Sequence, residues 1–273
     1  MSYKTLLVHA TRDRESLARL RCAGALADEF EATIVGVGAE AIPPALMSGT
    51  EAQPYYAGEW IGAFRDQIET DLAIAEKTFN ETIGARPKSW RESWMGPNQA
   101  LAANAAAADL IVAGGVGKAH IDAYRHIDAG ALALTAGRPL LVCPPSADHL
   151  PKEPVLVAWK NTREARRAVI DALPLLRRAP SVTVLEVAPD VDGEGRTSGQ
   201  DVIDLLHRHG VVAHLECAAK TGSSGQTILR RADRGPHLIV AGAYGHSRAD
   251  EWAFGGVTRT LLRQEQHFLL LSH

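Results

Sequence analysis

Apolar residues in this chain gather in short unbroken runs, separated by longer stretches in which apolar and polar positions recur with helical period. Runs such as Thr5-Leu-Leu-Val-His9 and Val155-Leu-Val-Ala-Trp159 have no polar alternation, so they read as strands covered on both faces. On this pattern strands are predicted at 5–9, 32–37, 88–94, 110–114 and 139–143, and again at 155–159, 181–187, 211–217, 238–242 and 268–272. Helices are predicted between them, at 14–29, 59–83, 98–107 and 127–136, then at 163–177, 198–209, 225–234 and 257–266.

The two series are copies of one unit. Leu110-Ile-Val-Ala-Gly114 recurs as Leu238-Ile-Val-Ala-Gly242, each leading into a glycine-bearing loop, and Pro139-Leu-Leu-Val-Cys143 is mirrored by Phe268-Leu-Leu-Leu-Ser272. Strand and helix alternate in both, which predicts an α/β fold of two tandem, open, mostly parallel five-stranded sheets with helices on both faces. The Pro-rich stretch 144–153 lacks an apolar pattern and serves as linker, giving domains at 1–146 and 152–273. The first unit also holds a long connection at 40–58, broken by Pro43, Pro44, Gly49, Pro54 and Gly58, which suits a lid, an interface or a mobile loop.

Composition narrows the function classes. Hydrophobic residues make up 46% and charged residues 22%, enough for a substantial core. A net charge of −3, with Lys and Arg scattered, offers no field for a nucleic-acid backbone. No apolar run approaches the roughly 20 residues needed to cross a bilayer, and no signal peptide is evident, so no membrane association and a cytoplasmic location are expected. Cys22, Cys143 and Cys217 are odd in number and form no CxxC pair, which predicts reduced, mostly buried thiols.

The candidate chemistry lies after the fourth strand of the second unit. Gly242 and Gly245 are two residues apart, and Gly255 follows after nine more, leading into Gly256-Val257-Thr258. Glycines there let backbone N–H groups approach phosphate oxygens, and a helix start at Gly255-Gly256 adds unpaired amides, with His246 beside them and the Thr258 hydroxyl as a further donor. The same glycines would also serve a tight turn and a helix cap. This G-x2-G-x9-G spacing, followed by Gly256, Val257 and Thr258, resembles the ATP-binding signature of universal stress proteins, and the whole chain resembles a tandem pair of such domains, with their adenine nucleotide alpha hydrolase-like fold.

The resemblance implies ATP or AMP bound in the second domain as a regulatory ligand, with Mg2+ expected only as a companion of ATP. It also implies an internal pseudo-dimer in which the fifth strands pair, and a homodimer of the whole chain is compatible with it. Family members that bind nucleotide carry an Asp at the end of the first strand, where this chain has Lys160, preceded by Trp159. Lys160 would approach phosphate or remain solvated; Trp159 would stack on a base or belong to the core. The first unit departs further: Thr11 takes the strand-end place, and Ile127 stands ten residues beyond Gly117, where the spacing calls for glycine. No nucleotide site is expected there, and Asp13 is read as a helix cap.

No nucleophile, base and orienting group can be assembled from spacing, so no catalytic residue is assigned and an enzyme is not expected. Thr221-Gly-Ser-Ser-Gly225 fits neither a Walker loop nor a nucleophile elbow, and one of its serines is read as a cap. His120, His126, His207 and His209 lack partners at metal-ligand spacing. The alternative function is a stress-response interaction module that binds no nucleotide.

Overall fold

The computed structural model describes residues 2–43, 54–114, 124–188, 197–235, 237–245 and 256–273, with backbone alone for 54–59. The first half runs β1 (Thr5–Ala10), α1 (Arg14–Phe30), β2 (Thr33–Ala39), α2 (Pro54–Ile83), β3 (Lys88–Ser93), α3 (Pro97–Asn104), β4 (Leu110–Gly114), α4 (Ala129–Thr135) and β5 (Leu140–Cys143). The second runs β6 (Val155–Trp159), α5 (Arg163–Leu176), β7 (Val182–Val187), α6 (Ser198–Arg208), β8 (Ala213–Ala218), α7 (Ser224–Ala232), β9 (Leu238–Gly242), α8 (Gly256–Leu262) and β10 (Phe268–Ser272).

Local chemistry accounts for the helix boundaries. Asp13 caps α1, its side chain accepting from the Ser16 amide at 2.8 Å. Ser223 with Gln226 forms a capping box at the start of α7, and at the start of α6 the Gln200 side chain accepts from the Thr197 amide at 2.9 Å. Along α5, Ala165, Ala168, Val169, Ala172, Leu173 and Leu176 are buried, a stripe at helical spacing that faces the sheet. Two expected bounds shift by four residues or more. Helix α2 starts at Pro54 rather than at 59, because proline is tolerated in a first turn; the rest of the connection, 44–53, lies outside the described residues. Helix α8 ends at Leu262, short of 266, where the Gln264 side chain accepts from the Gln266 and His267 amides and turns the chain into β10.

Each half contributes five strands, and the halves join edge to edge in one ten-stranded sheet, β3-β2-β1-β4-β5-β10-β9-β6-β7-β8. All pairings are parallel except the central one, where β5 and β10 run antiparallel with Leu141 opposite Leu270. The expected fifth-strand pairing is present. It buries Leu140, Leu141, Leu269, Leu270 and Leu271 completely. The hydrophobic clusters on the two faces of the sheet both draw residues from the two halves, so the junction is continuous with the core.

That continuity gives a stability prediction. Leu270→Ala is expected to cost about 2–5 kcal/mol in urea unfolding. Because Leu141 is its cross-strand partner, the double variant Leu141→Ala/Leu270→Ala should cost measurably less than the sum of the two. Strict additivity with small single effects would mean that the strands are not in contact. Of the cysteines, Cys22 and Cys143 are buried and Cys217 is exposed, so the expectation of burial fails at the last. The Cys22 thiol is pushed well above its usual range by a hydrogen bond with Cys143 and by burial. None of the described helices is long and apolar enough to cross a membrane.

Candidate functional site

In the second half the chain passes from β6 through α5 to β7 on one side, while β9 lies against β6 on the other. The strand order therefore reverses between β6 and β9, and the loops at their carboxyl ends splay apart there, which is where open α/β sheets hold ligands. A cleft of about 340 Å³ opens at this point. Its floor is Ala158 and Ala241, one wall is apolar, from Leu185, Val187 and Ile228, and the opposite rim among the described residues is formed by Tyr244 and Gly245 after β9 and the first turn of α8.

Seven of the nine predicted residues meet in this cleft: Trp159, Lys160, Gly242, Gly245, Gly256, Val257 and Thr258. His246 and Gly255 lie outside the described residues. The glycines differ in why they are there. A Cβ on Gly242 would stand 2.5 Å from the Ala165 nitrogen and 2.6 Å from the Glu164 carbonyl carbon, so this glycine admits the backbone of the first turn of α5. A Cβ on Gly245 would meet the Thr162 hydroxyl and a Glu164 carboxylate oxygen, each at 2.9 Å. A Cβ on Gly256 would meet none of the described residues within 4 Å.

The amides of this loop are partly committed. Ala243 N–H donates to the Ser272 carbonyl at 2.8 Å, and Tyr244 N–H donates to the Thr258 hydroxyl oxygen at 3.2 Å. The expected amide cradle is thereby reduced to Gly245 N–H and the first-turn amides of Gly256, Val257 and Thr258, which have no partner inside the helix. Thr258 is buried, and its hydroxyl, accepting from Tyr244, keeps its own proton to donate. Trp159 is mainly a core residue. It is 6% exposed, and its indole N–H donates to the Ser198 hydroxyl, which in turn donates to Glu186. Lys160 is exposed at the mouth.

Several residues of the cleft were not legible in the sequence. Ser223 does cap α7, accepting from the Gln226 amide at 3.2 Å. The same turn, Ser223 to Gly225, also lines the cleft, because Gly225 lets α7 approach α8; a Cβ there would lie 2.7 Å from Thr260 Cβ. Lys220, just before this turn, adds a second cation at the mouth. Tyr244 holds a left-handed backbone, φ 55°, and its hydroxyl reaches Gly130 on α4 of the first half, leaving no room for a side chain at that glycine. The rim of the cleft thus touches the other half of the molecule. No periodicity or spacing signals these contacts.

In the first half, described side chains occupy part of the equivalent place. Leu6 pairs with Leu110 as Val155 pairs with Leu238, and counting along those registers puts His9 where Ala158 stands and Thr11 where Lys160 stands. An imidazole therefore replaces a methyl group on the sheet face that forms the cleft floor in the second half. Arg19, buried, reaches in from α1: its Nε donates to the His9 carbonyl at 2.7 Å, and its guanidinium fills the space a side chain at Gly114 would need. Farther out, Arg12 contacts buried Asp71 at 2.8 Å, and Arg125 contacts Glu40 at 3.3 Å. His9 is held near pKa 3 by burial and by the Arg19 charge. His120 and Gly117 lie outside the described residues. His207 bonds the Ala213 carbonyl, and among the described residues no group of His, Cys, Asp or Glu is placed to hold a metal ion.

With the geometry in place, comparison with solved structures identifies the architecture. A universal stress protein from Archaeoglobus fulgidus DSM 4304 superposes with a TM-score of 0.69 at 13% identity, covering 98% of this chain and 95% of the other. A functionally unknown protein from Pseudomonas aeruginosa PAO1 superposes with a TM-score of 0.58 at 14% identity, covering 99% of this chain and 92% of the other. No protein-family model matches the sequence, and no curated protein is significantly similar to it. The class is thus defined by structure: an α/β protein with the universal stress protein fold. The likeness runs through both halves of the chain, and at these identities what it establishes is the fold.

Proposed function

We propose that the second half binds an adenine nucleotide, ATP or AMP, as the regulatory ligand of a stress-response protein, and that occupancy alters a contact with a partner. The observation that carries this is the meeting of seven predicted residues in one cleft at the reversal of strand order. The apolar wall of Leu185, Val187 and Ile228 suits a base, and the Gly245 and α8 amides with the Thr258 hydroxyl suit a 5′-phosphate. Tyr244 offers a route to a partner contact, since it belongs to the loop that faces the ligand and also abuts Gly130. The reading takes 1–146 and 152–273 as the domains, places the protein in the cytoplasm, allows a homodimer, and assigns no catalytic residue.

Titration calorimetry and thermal unfolding with ATP, ADP and AMP test it. Binding should release or absorb heat and stabilise the fold, by about 2.7 kcal/mol at a hundredfold excess over Kd. No heat and no thermal shift at millimolar nucleotide, with the protein folded, would overturn it. A non-nucleotide interaction module is the second reading. It is favoured by the packing of Gly242 and Gly245 on the first turn of α5, which gives both glycines a reason to be there without any ligand. ATP carried through purification on untreated protein would exclude that reading.

A further inference from the structure

Two charged side chains line the cleft among the described residues, Lys160 and Lys220, and no carboxylate does. Both lysines are exposed, and neither ammonium has a hydrogen bond or ion pair with another described residue. The nearest acids are already engaged. Glu164 sits behind Gly245 and pairs with Arg163 at 3.0 Å. Glu186 lies on the other face of β7, accepting from the Ser198 hydroxyl and the Gly199 amide.

The sheet order fixes where Lys160 stands relative to a bound nucleotide. Strand β6 lies between β7 and β9. The apolar wall comes from β7 and α7, and the glycine loop follows β9, so a nucleotide with its base on the wall and its 5′-phosphate at the loop has its ribose over the end of β6. Lys160 is the first residue beyond that end. An ammonium has three donors and no acceptor, so it leaves the protons of a free ribose diol without a partner. A phosphate ester at the same position would receive a charge-assisted hydrogen bond.

We infer that the cleft selects a nucleotide bearing a second phosphate, on the 2′ or 3′ oxygen of its ribose, with Lys160 as the counter-ion of that phosphate. This rests on the nucleotide reading above and specifies its ligand. Lys220, before the first turn of α7, lies toward the base end and adds to the positive field without contacting the ribose position.

The test is titration calorimetry of the full chain with AMP, adenosine 2′,5′-bisphosphate and adenosine 3′,5′-bisphosphate, in low salt with EDTA present. The two bisphosphates distinguish the two ester positions. One of them is expected to bind about tenfold or more tightly than AMP. In Lys160→Ala that advantage should fall to about twofold or less while AMP affinity changes little, and in Lys160→Asp the order should reverse. Lys220→Ala should weaken all three ligands, the bisphosphates somewhat more because they carry more charge, while one bisphosphate keeps its advantage over AMP. Equal binding of AMP and both bisphosphates by the unaltered protein, or an advantage that survives both Lys160 variants, would overturn the inference and leave adenine nucleotide binding standing. Failure of all three ligands to bind would overturn the inference together with the nucleotide reading.

Discussion

Gly242→Ala is expected to destabilise the protein by about 3 kcal/mol or more, whereas Gly256→Ala should change stability by less than about 1 kcal/mol. The two belong to one sequence signature, yet their surroundings differ. A methyl group on Gly242 would collide with the backbone of Glu164 and Ala165, which cannot yield as a flexible side chain would, while one on Gly256 would meet none of the described residues within 4 Å. Gly256→Ala therefore reports on ligand contact at the first turn of α8 with little disturbance of the fold. Urea unfolding of both variants decides the matter. Equal, small costs would show that β9 and the start of α5 are farther apart than the structure has them, and equal, large ones that Gly256 is also packed.

Mild acid should destabilise the first half through His9. The imidazole is buried beside the Arg19 guanidinium, with His126 adding to the repulsion and Asp13 opposing it, and its folded pKa is near 3 against about 6.5 when unfolded. A pKa depressed by folding means that the unfolded chain takes up a proton that the native one refuses. Stability is then full above about pH 6.5 and declines as pH falls toward 3, at up to about 1.4 kcal/mol per unit. Between pH 7.5 and 4.5 the contribution of His9 amounts to about 2.5 kcal/mol. His9→Ala, which reproduces the residue of the second half at this place, should remove that share of the acid sensitivity. Asp13 also sits below its usual range, because the Thr11 hydroxyl, Arg19 and the Ser16 amide outweigh the opposing effect of burial. Its loss begins below about pH 4, outside the window. An unchanged slope in His9→Ala would show that the imidazole is accessible to protons in the native state.

Most of the architecture was legible in the sequence because buried strands and amphipathic helices leave periodic marks. The ten strands, the recurrence of Leu-Ile-Val-Ala-Gly and the caps at Asp13 and Ser223 all follow from residue type and spacing within a few positions of the feature they specify. The glycine spacing likewise pointed to the end of β9 as the place where a ligand would sit, and five of the residues it singled out, Gly242, Gly245, Gly256, Val257 and Thr258, line the cleft there.

What the tertiary structure alone decided concerns residues far apart in the chain. Lys220 and the Ser223 turn join the cleft only because Gly225 lets α7 lie against Thr260. Gly242 is needed because of a helix start some eighty residues upstream, and Gly130 because of Tyr244 in the other half. The meeting of His9 and Arg19 in the first half, and the merging of two sheets across Leu141 and Leu270, are also matters of tertiary packing. Period and capping are written in neighbouring residues, since backbone geometry repeats over a few positions. Close approach and charge balance are set by which surfaces the fold brings together, and one chain read in order carries no record of that.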